Sequence, residues 1–395
     1  MNKTATSRSP RNPGHDVVIV GAGVIGLACA WRLRQRGLSV AVLESDQAGA
    51  KTSHVAAGML APVTEVEFGE AALMNLNLAS ARIYPEFAAE LTDATGAELD
   101  YRQDGSLYVA ADRDDASDVE RLYELQRSTG LDVERLDGRS CRRLEPGLAP
   151  SLVGGLLARS DAQIDPRSLT AALLKAVQNA GVTVAEHTTV AETVISGGRC
   201  VGVKTRNGRL WPADEVVAAT GCWSGQDGWI PEFVRPPVRP VKGQLLRLRT
   251  RTGERFCEHI IRTPWVYVVS RADGRVVVGA SVEEQGFDRS ITAGAVLELL
   301  REGYRILPDL AELELVETQA GLRPGTPDNA PILGHTRLPG LTFATGHYRN
   351  GVLLTPITAQ IVTAVLTGDS NGLAEEIPID DFSAARFDHA LEAAG

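Results

Sequence analysis

The stretch that most restricts what this chain can fold into is DVVIVGAGVIGLACAWRLRQRGLSVAVLES, residues 16–45. An apolar β-like run at 16–20 leads into GAGVIG, a helical run continues to about Arg36, Gly37 stops it, and a second apolar run ends at Glu44. This is a complete strand–helix–strand unit, and parallel strands joined by a helix commit the fold to the α/β class. Gly21 permits the tight turn, Gly23 lets backbone approach a pyrophosphate, and Gly26 lets the helix pack on the strand. Val24 and Ile25 open that helix, whose N-terminus offers amide groups and a positive dipole end to phosphates. Glu44, 18 residues after Gly26, is placed to accept from ribose hydroxyls. The pattern predicts a dinucleotide with an unphosphorylated ribose, which disfavours NADP and leaves NAD and FAD open.

The next segment, AGAKTSHVAAGMLAP at 48–62, is rich in Gly, Ala, Ser and Thr where an NAD dehydrogenase would proceed to its next βα unit. Small residues let amides and hydroxyls approach a large flat ligand along its length, as an extended FAD requires; the alternative is a flexible Gly/Ala loop. The formal net charge of -10 argues against nucleic acid as a partner, because a polyanion binder needs a basic surface. A small molecule fits better. The longest uncharged run, Val17 to Trp31, carries three glycines and falls short of the ~20 residues a bilayer crossing needs, so no membrane span is predicted. Cysteines 29, 141, 200, 222 and 257 are scattered, and no HxxxH, HExxH or GxSxG spacing occurs, so neither a metal site, a disulfide framework nor an acyl-transfer elbow is expected. Residues 1–14 are polar and Pro-punctuated with no apolar core, which predicts a disordered tail rather than a secretory signal and a cytoplasmic protein.

Further along, a long helix is expected from about Glu70 to Thr95 despite Pro85, an alternating strand at 105–111, an exposed helix in DRDDASDVERLYELQRSTG, and a helix at 165–181 opened by Asp165 and Pro166. Alternating β runs follow to EVVAATG. Residues 235–317 differ in character: the DG at 273–274 between VYVVS and RVVVGA signals a hairpin, so the block reads as an antiparallel sheet with a helix from about Thr292 to Leu307. LTFATG then returns to the earlier core pattern, and a last helix has Thr355 as N-cap, Pro356 in its first turn and Gly368 as its stop. Such interleaving implies two discontinuous domains.

The segments GAGVIG with Glu44, SHVAAGMLAP (53–62), VVAATG with Trp223, RPVKGQ (239–244), GLRPGTPDNAPILG (321–334) and TGHYRNGVLLTP (345–356) together resemble the FAD-dependent, D-amino-acid oxidase-like amine oxidoreductases, and within them the glycine oxidases of thiamine thiazole biosynthesis. The resemblance implies a Rossmann-like, glutathione-reductase-type FAD-binding domain and an interleaved α+β substrate domain built on an antiparallel sheet. Residues 15–83, 159–234 and 318–390 would form the first, and 84–158 and 235–317 the second. Beyond the glycine turn and Glu44, it places non-covalent FAD along Thr52, Ser53, Ala56, Ala57, Gly58, Met59, Val190, Thr220, Gly221, Trp223, His347, Arg349, Asn350, Gly351, Val352 and Leu353, with Arg323. Related sarcosine oxidases bind flavin through a cysteine six residues before the Pro of TPD, and that position here is Gly321.

In the family, the arginine of the LRP turn grips the substrate carboxylate; it maps onto Arg323, and a planar guanidinium suits two parallel hydrogen bonds to a carboxylate. Tyr267 matches a tyrosine whose hydroxyl reaches the same group, Arg349 flanks flavin and substrate, the Ala61 carbonyl accepts from the substrate amine, and Trp265 and Val282 line the pocket. The 351–356 stretch, leading into the last helix, is the candidate dipole at the flavin pyrimidine edge. The implied reaction oxidises the Cα–H of a small amino acid with its amine deprotonated, giving an imine that hydrolyses to a 2-oxo acid and ammonia, while dioxygen becomes hydrogen peroxide. A homo-oligomer is expected. The alternatives are a D-amino-acid dehydrogenase, a sarcosine-type oxidase, and a catalytically silent nucleotide-binding regulatory protein.

Overall fold

The computed structural model describes residues 14–226, 228–369 and 377–387; the expected tail lies outside these apart from Gly14, as does part of the last domain segment. Two eight-stranded sheets organise the chain. The first is centred on His15–Val20, which pairs in parallel with Val40–Leu43 on one side and Leu210–Ala218 on the other. Leu341–Thr345 and Thr183–Ala185 extend it in parallel, and Ile332–His335 closes one edge antiparallel. Its central strands are apolar at nearly every position because both faces are covered. Helices Val24–Gln35, Pro166–Asn179 and Thr355–Thr367 share one core with it, and the Val190–Ser196/Arg199–Thr205 hairpin, with Trp229 and Ile230, shares the other.

The second sheet runs, in order, Glu314–Gly325, Arg239–Arg249, Arg275–Gly279, Tyr267–Ser270, Ile260–Arg262, Ser106–Ala110, Gly154–Ala158 and Glu134–Asp137. It is antiparallel except where Ile260–Arg262 meets Ser106–Ala110. Helix Ala293–Ile306 and the segment through Leu148 and Leu152 cover one face, and residues 55–59 pack on the other.

Several expected elements form for the expected reasons. Asp165 caps Pro166–Asn179 by accepting from the Arg167 amide at 2.9 Å, Thr292 caps Ala293–Ile306, and Gly368 ends the last helix at φ 74°. The helix Ala71–Thr95 carries Pro85 inside it.

Four readings change. The AGLRPG stretch is not a turn: it is the end of the twelve-residue strand Glu314–Gly325, paired with Arg239–Arg249 along its length. Pro324 is tolerated there because the strand is an edge, where a missing N–H leaves no ladder bond unmade. Sheet membership therefore puts residues 314–325 with the second sheet, across the expected boundary at 317/318. Ser106–Ala110 is buried at all five positions rather than alternating, since the helix Arg113–Ser128 packs on one side of it while helix Ala293–Ile306 and the segment through Leu148 and Leu152 cover the other. Thr355 lies inside the last helix, whose N-cap is Leu354; its hydroxyl donates back to the Gly351 carbonyl at 2.9 Å. Among the described residues no helix is long and apolar enough to cross a membrane, no group of three or more His, Cys, Asp or Glu could hold a metal ion, and all five cysteines are buried thiols.

Candidate active site

Register decides which side chains meet. In a sheet, directly paired residues point to the same face. Tyr267 pairs with Gly279, Gly279 with Leu245, and Leu245 with Gln319. One step along in the period of two, Gly243 pairs with Gly321, and Arg323 lies two further on. Tyr267 and Arg323 thus emerge on one face, over a cavity of about 620 Å³ whose wall both of them form. Two glycines make room for them. A Cβ at Gly243 would stand 2.4 Å from the Arg323 guanidinium, and one at Gly279 would stand 2.5 Å from the Tyr267 hydroxyl.

Arg323 donates from Nη1 to the carbonyls of Lys242 at 3.3 Å and Ser281 at 3.1 Å, and it forms no ion pair among the described residues. Its charge faces the cavity without a carboxylate partner. Burial pushes the Tyr267 phenol up, against the lowering effect of Arg323, so it stays protonated as a donor.

The other two arginines on the cavity wall differ from Arg323. Arg349 pairs with Glu67 at 2.5 Å and Glu70 at 3.2 Å, and donates to the Glu65 carbonyl at 3.3 Å. Arg262 pairs with Glu65 at 3.1 Å. Arg349 lies on the wall as expected, but its charge is already met, and it ties the 65–70 loop to the 347–351 turn. Glu65, Glu67 and Arg262 were not legible as site residues, because only the fold brings the loop after residue 61 to this rim. Trp265 lines the mouth rather than the floor: 61% of its surface is exposed, its indole donates to Asp115 at 3.1 Å, and Val282 beside it is 66% exposed. Ala61 does not line the cavity, and its carbonyl accepts from the Glu65 amide at 3.1 Å.

At the opposite end lies the glycine turn. Gly21 sits at φ 108°, where a Cβ would stand 2.4 Å from the Ala219 carbonyl, and one at Gly26 would stand 2.0 Å from the Gly21 carbonyl. Gly26 therefore packs helix on strand and does not reach the cavity, whereas Gly21, Gly23, Val24 and Ile25 line it. The Val24 amide donates to Ser53 Oγ at 3.2 Å. Glu44 accepts from the amides of Ala22 at 2.9 Å and Asp46 at 3.0 Å and from Lys51 Nζ at 3.1 Å. Lys51, which no sequence motif singled out, also reaches Ser45 Oγ at 2.6 Å and lies 4.7 Å over the Trp223 ring.

Between the ends, Thr52, Ser53, Ala56, Ala57, Gly58, Met59, Val190, Thr220, Gly221, Trp223, His347, Gly351 and Val352 line the same cavity. Burial holds the His347 imidazole down to about 3, and its Nε2 lies 2.9 Å from Thr358 Oγ1, so it is neutral. Asn350 and Leu353 stand behind the wall. The Asn350 side-chain amide is buried without a partner among the described residues, and the Leu353 carbonyl accepts from Ser80 at 2.6 Å.

The donor set suits FAD. Backbone leaves no room for a Cβ at Gly21 or Gly26, an acid stands at the end of the second strand, and a continuous cavity runs from there to Arg323. The amides of Ala57, Gly58, Gly351, Val352 and Leu353 donate to no carbonyl among the described residues. The last three precede the thirteen-residue helix Thr355–Thr367, an arrangement that favours negative charge on a ligand.

Comparison with known proteins agrees. The "Bifunctional protein ThiO/ThiG" of a Nostoc species is 36% identical over 363 residues, which cover 89% of this chain and 52% of that one. The chain thus spans about half the length of the bifunctional relatives it matches. The "Glycine oxidase" of Geobacillus kaustophilus is 33% identical over 350 residues, covering 88% of this chain and 92% of that one. Its crystal structure superposes with a TM-score of 0.86 over 94% of this chain and 98% of that chain. The structure of an iminodiacetate oxidase from a Chelativorans species has a TM-score of 0.83 at 29% identity, covering 93% and 98%. Residues 16–365 match the family described as FAD dependent oxidoreductase, and the chain belongs to that family.

Proposed function

We propose that the protein oxidises glycine, and other small amines such as sarcosine or D-alanine, to the imine and then the 2-oxo acid, releasing ammonia and hydrogen peroxide in service of thiamine thiazole synthesis. The observation that carries this reading is Arg323: a guanidinium on the cavity wall, beside a protonated Tyr267, bonded among the described residues only to backbone carbonyls. Such a group is built to accept a carboxylate.

Bound FAD supplies the two-electron acceptor for the Cα–H bond. The chain's own residues do the positioning. Gly21, Gly23 and the start of helix Val24–Gln35 would hold the pyrophosphate, Glu44 would hold the ribose, and the amides of 351–353 would offer donors to the ring. Gly321 at the position of the sarcosine-oxidase cysteine leaves the cofactor non-covalent; a Cβ there would already approach Val55 to 3.1 Å. Arg323 and Tyr267 fix the carboxylate, which confines the substrate to one orientation and removes much of its entropic barrier. Arg349 holds the 65–70 loop against the site and helps exclude water. No side chain serves as general base: His347 is neutral and bonded to Thr358, and the substrate enters with its amine deprotonated.

A second reading has its own support. Trp265 and Val282 stand at an open mouth, so the space beyond Arg323 and Tyr267 is not closed down to glycine. That favours an N-substituted amine, as in a sarcosine-type oxidase, or a larger D-amino acid. The protein is also proposed to be a homo-oligomer, read by sedimentation. Oxygen uptake and peroxide release by the FAD-loaded protein with glycine, sarcosine, D-alanine and iminodiacetate test the readings together. Turnover of glycine at least comparable to the others supports the first, a strong preference for an N-substituted amine supports the second, and no turnover of any sinks both.

A further inference from the structure

Behind the cavity wall, on the side away from the ligand space, three arginines converge on one short stretch of backbone. The His54 carbonyl accepts from Arg167 Nε and Arg247 Nη2, both at 3.1 Å. Arg247 Nη2 also reaches the carbonyls of Val55 at 3.3 Å and Ala56 at 3.4 Å. Arg271 Nη2 donates to the Ala57 carbonyl, and Nη1 to Gln163 Oε1 at 3.2 Å.

Each peptide group has two ends. The carbonyl of Ala56 belongs to the peptide whose N–H is that of Ala57, and the carbonyl of Ala57 to the peptide whose N–H is that of Gly58. Ala57 and Gly58 line the cavity, and their amides donate to no carbonyl among the described residues. A cation on the carbonyl end of a peptide strengthens its N–H as a donor, and more so in a low-dielectric surrounding. The stretch also packs in one cluster with Tyr267 and Leu245, so it lies at the substrate end, where the part of the cofactor that meets the substrate must sit.

The charges are expensive to keep there. Arg271 is 1% and Arg247 8% exposed. Arg271 has no ion pair among the described residues, although Asp165 acts on it from further off, and the one carboxylate within 4 Å of Arg247 among them, Glu317 at 3.8 Å, is closer to Arg167 at 2.9 Å. A neutral donor would satisfy the same carbonyls with less desolvation. What a neutral donor could not supply is excess positive charge one backbone layer from the cofactor. Gly58 marks how thin that layer is: a Cβ on it would stand 2.9 Å from Arg271 Nη2.

We infer that Arg247 and Arg271 are positioning residues for the cofactor, holding the carbonyls of Ala56 and Ala57 so that the Ala57 and Gly58 amides point at the flavin ring as polarised donors and stabilise the negative charge it gains on reduction. The inference rests on FAD occupying this cavity, and it names side chains that touch neither substrate nor cofactor. It sets the redox poise of the bound flavin rather than its affinity.

The test is the midpoint potential of FAD bound to Arg247→Gln and Arg271→Gln, read by equilibration with a reference dye. Glutamine keeps a donor and removes the charge. Each variant is expected to shift the reduction equilibrium at least tenfold toward the oxidised form, ~30 mV for a two-electron couple, and Arg247→Lys is expected to stay within threefold of wild type. FAD-bound glutamine variants with an unmoved potential would overturn the inference. Because Arg271 is fully buried and its variant can fail to fold, a second reading uses the unaltered protein: hydrogen exchange at the Ala57 and Gly58 amides should slow at least tenfold on loading FAD into the apoprotein, and equal rates would overturn it equally. A protein that takes up no FAD would sink the cofactor assignment itself, and the inference with it.

Discussion

Gly243→Ala separates the place of Arg323 from its presence. The added Cβ would stand 2.4 Å from Nη2 and 2.5 Å from Cζ and Nη1 of Arg323, against an ordinary carbon contact of ~3.5 Å. The guanidinium must therefore retreat by about 1 Å. It can do so, because it is the free end of a flexible side chain, but its bonds to the Lys242 and Ser281 carbonyls, at 3.3 and 3.1 Å, do not survive the move. A carboxylate that was held by a charge-assisted fork then loses about 1.5–3 kcal/mol, a 10- to 150-fold rise in KM at ~1.4 kcal/mol per tenfold. Folding should be almost untouched, since alanine gains ~0.4–1 kcal/mol over glycine from the unfolded chain and the strand continues past residue 243. The assay is kcat and KM for glycine beside the thermal midpoint, on one FAD-loaded preparation. A KM within twofold of wild type would show that Arg323 does not hold the substrate from where it lies. A large fall in thermal midpoint would show that the clash is taken by the backbone instead.

Other outcomes follow from the same geometry. Arg323→Ala should raise the KM for glycine steeply with FAD still bound, and unchanged kinetics would remove Arg323 from the site. Glu44→Gln loses the ionised acceptor shared by the Ala22 amide, the Asp46 amide and Lys51; FAD affinity, titrated into apoprotein, should fall roughly tenfold, and an unchanged affinity would exclude Glu44 from the ribose end. Asp161 offers a pH signature. It is buried and accepts from Val63 and from Thr64, and burial pushes its carboxyl from 3.8 to about 6. The native state thus holds that proton more tightly than the unfolded chain, so the contribution to stability is full below pH ~4 and lost as pH rises through 6. Asp161→Asn cannot ionise, and its stability relative to wild type should improve by up to ~3 kcal/mol between pH 4 and 7; a pH-independent difference in chemical denaturation would contradict the assignment.

How much of this was legible in the sequence depends on how local the signal was. The glycine turn and Glu44 are fixed by chain-neighbour chemistry, and both lie where the spacing put them. Arg323 was identifiable by resemblance, but its surroundings were misread: glycine and two prolines near it look like a turn, and only the pairing of Val241 with Arg323 reveals an edge strand. Gly243 and Gly279 carry no signal of their own, because what each must admit is a side chain from another strand. Arg349 illustrates the opposite failure. It lies on the cavity wall, yet its carboxylate partners come from a loop nearly three hundred residues away in sequence. With 40 Lys and Arg in the chain, no arginine announces its role by type, and the three behind residues 54–57 are defined only by the carbonyls they meet.

Arg323 and Tyr267 are proposed to hold a small amino acid against bound FAD. The visible spectrum of the purified protein, recorded without oxygen before and after adding glycine, tests it most directly. A yellow protein whose flavin absorbance bleaches on addition is the expected result. A yellow protein that stays yellow with glycine, sarcosine and D-alanine would contradict it.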